Sequence, residues 1–400
     1  MNPDDISIMI KEILSLRYYP SLQIGRKKIT SNDFQSQDNL DYLEHIENLI
    51  LSTIESEVKG EKISVALSGG VDSTLVLSLI RKIKPDINIE AVSIKFADSV
   101  DETTTASKIA ETFDANHNIV YLENYLSELP KAISMVKLPF WDLHWYYVAK
   151  KAQTFSKYLA AGDGGDEVFG GYTVRYAKFL SLINPKATAL EKVKAYLKCH
   201  ERDSVTDQEE VFGEHITFSW DLIYEQILPY FDNSLSVLDQ VLLADYNGKL
   251  MYHFSPINNK INNYFDLTSI TPLLSNNIIS YATNLQSKSK YDEINNIGKI
   301  PLHQLLKKYN LDSLVLNTKQ GFSVDTLNLW KSYAQKLCKD YLSNSRVVRD
   351  RWINGDWIKK YIDRSDLDVR YVNKFLGLLA FEVWYRLFVS KEMKSETNLS

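Results

Sequence analysis

The sequence predicts an α/β fold, a parallel sheet with helices on both faces, followed by a mostly helical C-terminal region. Three observations carry this. Short β-rich runs alternate with helical patterns up to about residue 176. Two of those runs end in glycine-rich loops, and beyond them the spacing of apolar residues becomes helical. Strands alternating with helices imply parallel pairing, because each crossover must carry a helix over a face of the sheet.

Residues 1–39 read as an N-terminal extension, residues 40–180 as the α/β domain and residues 181–400 as a helical substrate-completing domain. In residues 40–57, Leu43, Ile46, Ile50 and Ile54 recur at three- and four-residue steps and predict an amphipathic helix. Ile63-Ser64-Val65-Ala66-Leu67 predicts the first strand, and residues 73–83 the helix after it. Residues 87–96 predict a second strand, and Ser99 with Glu102 has the spacing of a capping box for a helix running to Phe113. Residues 118–122 predict a third strand, residues 124–154 helices, and residues 157–161 a fourth strand. Residues 187–200, 235–252 and 371–389 have helical spacing. The apolar stretch 375–389 is interrupted by Glu382 and Arg386 and is shorter than the roughly 20 residues that cross a bilayer.

Composition excludes several classes. With 400 residues, 44% hydrophobic and 24% charged, the chain is long enough for two packed domains. A net charge of −5 and no dense Lys/Arg tract argue against nucleic acid as a partner. Cys199 and Cys338 are the only cysteines, which argues against a disulfide framework and points to a reducing, cytoplasmic setting. Acids at Asp4 and Asp5 stand where a signal peptide carries basic residues. Neither membrane insertion nor secretion is expected.

The chemistry lies in two loops. Ser68-Gly69-Gly70-Val71-Asp72-Ser73, between a strand and a helix, aims backbone N–H groups and a helix N-terminus at one point, a natural phosphate cradle. Asp72 beside a triphosphate requires a divalent cation between the two charges, which predicts Mg²⁺. The second loop, Gly162-Asp163-Gly164-Gly165-Asp166-Glu167-Val168-Phe169-Gly170-Gly171-Tyr172, packs three acids into five residues. In an open parallel sheet both loops open onto one crevice. The bland alternatives are an ordinary tight turn and a solvated acidic turn, and the pairing of the two motifs disfavours both. His117 and His144 have no partner at metal spacing, and the aromatic run 140–147 reads first as core packing and second as an acceptor pocket.

These residues carry a resemblance. Ser68–Ser73 resembles the pyrophosphate loop of the ATP pyrophosphatase superfamily, and Gly162–Tyr172 resembles the signature of asparagine synthetases and their relatives, the β-lactam synthetases and peptide macrocyclases. With Asp101-Glu102 and Lys319-Gln320-Gly321-Phe322, the similarity runs from about Tyr42 to Phe388. It implies an adenine-nucleotide α-hydrolase-like sheet and a two-step reaction: a carboxylate attacks the α-phosphate of ATP, releasing pyrophosphate, and ammonia or an amine then displaces AMP. Carried over by position, Asp72 and Asp166 would hold Mg²⁺, Ser68, Gly69, Gly70 and Ser73 would cradle pyrophosphate, and Val65, Leu67, Ile94 and Gly162 would surround the adenosine. Asp163 matches the acid that assists proton removal from the nucleophile, and Lys319 the lysine that steadies charge on the α-phosphate. Asp101 and Glu102 are explained by helix capping and stay outside the site.

Two departures qualify the product. The family's glutaminase domain, with its cysteine after the initiator methionine, has no counterpart around Asn2, so nitrogen is expected from ammonia, a separate glutaminase subunit or another amine. The Glu-x-Arg-x-Pro-Phe-Leu-Asp signature is replaced by Thr268-Ser269-Ile270-Thr271-Pro272-Leu273-Leu274-Ser275, without its charges, which weakens aspartate as the acceptor. The alternatives are an intramolecular amide former, making a lactam or macrocycle, and a non-catalytic nucleotide-binding subunit.

Overall fold

The computed structural model describes residues 2–35, 41–96, 101–315 and 325–400. Its centre is a five-stranded parallel sheet of β1 (Lys62–Ala66), β2 (Asn88–Phe96), β3 (Asn116–Leu122), β4 (Tyr158–Ala160) and β5 (Thr268–Ile270) in the order β3-β2-β1-β4-β5. The predicted strands all appear, within two residues of their expected limits. Ser99 of the proposed capping box lies outside the described residues. Asp101 accepts the Thr103 N–H at 3.0 Å at the start of helix Thr103–Thr112.

β5 corrects the expectation that strands end before the helical region. It comes from the stretch matched to the lost signature and pairs with β4, with Leu159 opposite Ser269. Three residues are too few for alternation to show, and here the pairing edge of β4 overrides the local pattern.

Side chains alternate across the sheet, so both faces are buried. Ile63, Val65, Ala91, Ala160 and Ile270 join one apolar cluster with helices Tyr42–Glu57 and Val71–Ile83. Ala66, Val92, Ile94 and Leu159 join the other, with helices Leu129–Val136, His144–Ala152 and Val369–Phe388. Residues 3–16 take part in this core: helix Pro3–Leu16, capped by the Asn2 side chain, buries Ile6, Met9, Ile10 and Ile13 in the second cluster. The charges that interrupt the last helix have an assignment too. Glu382, fully buried, accepts N–H groups of Arg346 and Val347 at 2.8 and 3.0 Å and caps the short helix Arg346–Arg349, with Arg386 bonded to the same carboxylate.

β1 is the switch point of this topology, since the chain proceeds outward from it to β2 and β3 on one side and to β4 and β5 on the other. Ser64 stands opposite Leu159 and Val65 opposite Ala160. The loops that leave β1 and β4 therefore start side by side.

Candidate nucleotide and metal site

The loop after β1 turns sharply. Gly69 has φ +75°, and Gly70 is the N-cap of helix Val71–Ile83 but supplies no capping side chain. Ser68 Oγ and Ser73 Oγ lie 3.2 Å apart, and Thr74 Oγ1 ties the turn by donating to Gly70 O at 2.7 Å. Asp72 sits in the first turn of that helix, so the positive end of the helix and the carboxylate share one corner.

The loop after β4 fits against it only because of its glycines. A Cβ on Gly162 would lie 2.6 Å from Cβ of Asp72, and one on Gly165 would overlap the Asp72 carboxylate. The two loops thus close on each other. Asp166, on the short helix Gly165–Phe169, is 8% exposed.

Between the acids lies a cation that sequence reasoning missed. Lys299 Nζ is 2.5 Å from Asp72 Oδ2 and 2.9 Å from Asp166 Oδ1, and the residue is 5% exposed. It stands at φ 52° as the N-cap of helix Ile300–Lys308, and its N–H donates to Phe169 O at 2.9 Å. A lysine at a helix start opposes the helix dipole, and that local conflict was the signal available in Gly298-Lys299-Ile300-Pro301.

A cavity of about 280 Å³ is lined by Ser68, Asp72, Ser73, Gly162, Asp163 and Asp166, so six of the predicted site residues share one recess. Asp163 accepts from Asn258 Nδ2 at 3.0 Å. Val65 and Leu67 are fully buried and pack into the core; the Leu67 N–H donates to Val92 O and its carbonyl accepts from Ser93 Oγ. Ile94 is 7% exposed in the other cluster, and Ala66 and Ala161 line the recess instead. Lys319 lies outside the described residues. His117 is held by Ser93 and Ser107 hydroxyls at 2.8 Å each. Of the aromatic run, Phe140, Tyr146 and Tyr147 pack in the core, while His144 and Trp145 line the recess.

Through His144, Tyr172 and Phe254 this recess adjoins another, of about 340 Å³, whose lining holds Arg17, Arg175, Arg202 and Lys249 against the carboxylates Asp142 and Asp203, with Arg175 also 3.5 Å from Asp245. Arg17 bonds to Asp142 at 2.6 Å, and with His253 it holds that carboxyl far below the usual range despite burial. Burial pushes the His144 imidazole down, favouring its neutral form.

The profile of the asparagine synthase family matches residues 47–386 of this chain. The chain belongs to the asparagine synthase family. Among its relatives, the "Asparagine synthetase (glutamine-hydrolyzing) 1" of Bacillus subtilis strain 168 is 31% identical over 29% of this chain and 19% of that protein. The "Putative asparagine synthetase (glutamine-hydrolyzing) 2" of Methanocaldococcus jannaschii is 27% identical over 45% of this chain and 39% of that protein. The aligned region spans about a fifth to two fifths of the length of these relatives. The solved structure of an NMN synthetase from Francisella tularensis is 16% identical, covering 50% of this chain and 90% of that one, with a TM-score of 0.24. For this family member, no helix among the described residues is long and apolar enough to cross a membrane.

Proposed function

We propose that this asparagine synthase family member is an ATP-dependent, AMP- and pyrophosphate-forming amide synthetase. The observation that carries it is the shared corner of the two loops, where Asp72 and Asp166 close on one ammonium at the N-terminus of a helix behind a glycine turn. Phosphate and divalent cation are the ligands such a corner suits.

The fit to Mg²⁺ rests on Asp72 Oδ1, which is buried and accepts no hydrogen bond among the described residues, beside a second carboxylate already gathered around positive charge. No group of three or more His, Cys, Asp or Glu side chains forms a metal cluster among the described residues, so Asp72 and Asp166 would share the ion with phosphate oxygens. When bound, Mg²⁺ neutralises charge on the departing pyrophosphate.

The chain's own residues do the rest. Ser68, Gly69, Gly70 and Ser73 cradle pyrophosphate, and Lys299 offers it an ammonium. The acid and the adenosine occupy the joined recesses, where Arg202 has no carboxylate partner among the described residues and an anionic acid finds its charge answered. The substrate carboxylate attacks the α-phosphate and pyrophosphate leaves. Asp163 then takes a proton from the incoming nitrogen nucleophile as AMP departs, and Lys319 steadies the charge on the adenylate phosphate.

Exchange of labelled pyrophosphate into ATP, run over a panel of carboxylic acids, tests this reading. Exchange that depends on one acid identifies the acceptor. Absence of exchange with every acid, in a chain that still binds ATP, replaces it with a non-catalytic nucleotide-binding subunit.

A further inference from the structure

Trp145, Asp163 and Asn258 line both the loop recess and a second cavity of about 410 Å³. Its walls come from residues 22–26, from helix Ser255–Tyr264 and from β5 with the residues after it. The segment expected to be an extension and the stretch that lost its charged signature thus meet here, opposite the candidate proton acceptor.

The recess has the size of a small-organic-ligand pocket, far more room than ammonia needs. A water-sized molecule takes about 30 Å³ of liquid volume, whereas pockets for small organic ligands start at about 300 Å³. The lining is mixed: Leu22, Ile24, Trp145, Leu159 and Met251 are apolar, while Ser255, Asn258, Asn259 and Thr271 present hydroxyl and amide groups that both donate and accept. Its charges are Arg26 and Lys260 against the one carboxylate of Asp163. Arg26 donates to Leu274 O at 2.5 Å and Lys260 to Val136 O at 2.7 Å, and neither forms an ion pair among the described residues. Arg26 keeps further N–H donors in its planar fork, the geometry that matches a carboxylate.

We infer that this cavity binds the nitrogen donor, and that the donor is a free amino acid, its amine at Asp163 and its carboxylate at Arg26. The inference rests on the adenylation reading above. In the step it specifies, Asp163 accepts one proton from the donor's ammonium and the freed lone pair attacks the acyl-adenylate carbonyl. The C–N bond forms, the C–O bond to the phosphate breaks with its electron pair leaving on AMP, and the second amine proton is released to solvent.

Titration calorimetry of the full chain against each of the twenty common L-amino acids and against ammonium chloride tests it. At least one amino acid binds in the millimolar range or tighter, its N-acetyl and carboxamide derivatives bind at least tenfold more weakly, and Arg26→Gln weakens it about tenfold with Arg26→Lys intermediate. Circular dichroism confirms that both variants remain folded. Binding by none of the twenty, or equal binding of the carboxamide, overturns the inference, as does AMP release with ammonium alone or with an acid that cyclises without added amine. Pyrophosphate exchange on the same preparation keeps the two readings apart. Exchange without amino-acid binding leaves adenylation standing and removes the donor pocket, and binding without exchange removes adenylation and with it the donor role, because no acyl-adenylate then exists for the amine to attack.

Discussion

Asp72 and Asp166, carried by loops that leave neighbouring strands, close on the same ammonium, Lys299 Nζ, at 2.5 and 2.9 Å. Two carboxylates drawn this near need a cation between them, and each prediction about the site starts from that need.

Lys299→Met leaves the two acids facing each other without their counter-ion. Breaking a buried pair in this way costs about 3–5 kcal/mol. The expected outcome is a lower melting temperature, with a larger recovery on adding MgCl₂ than the wild-type chain shows. Equal magnesium shifts in both proteins refute the shared cation site.

Asp72→Asn keeps the shape of the side chain and removes its charge. Lys299 remains bonded to Asp166, so the fold persists by circular dichroism. Pyrophosphate exchange falls by about 100-fold or more, the scale on which a lost charge-stabilising group acts. Undiminished exchange removes Asp72 from the site.

Gly165→Ala places a methyl group in the Asp72 carboxylate. Overpacking of this kind costs about 1–3 kcal/mol, while the displaced carboxylate lowers exchange far more than stability. A Gly165→Ala enzyme as active as the wild-type chain contradicts the close approach of the loops.

Burial raises the Glu167 carboxyl from the ordinary 4.5 to about 7. The folded state therefore holds a proton that the unfolded state releases, and stability falls as pH rises from about 4.5 to about 7. Glu167→Gln has no such proton to lose. Urea denaturation at pH 5 and pH 7.5 should show a decline about 1–3 kcal/mol smaller in the variant than in wild type. An equal decline in the two proteins rejects Glu167 as the titrating group.

The sequence by itself determined the parallel sheet and the two chemical loops. Alternating strand and helix patterns need only local propensity and burial, and Ser68-Gly69-Gly70-Val71-Asp72-Ser73 with Gly162–Tyr172 carry their meaning in consecutive residues. Only the tertiary structure decided what stands between those loops and around them. Lys299 reaches Asp72 across 227 positions of chain, β5 joins the sheet through the free edge of β4, and residues 22–26 form a wall beside Asp163. Each is a pairing between distant segments, fixed by complementary charge, an open hydrogen-bonding edge or a shared cavity, and no local pattern of apolar residues records such a pairing.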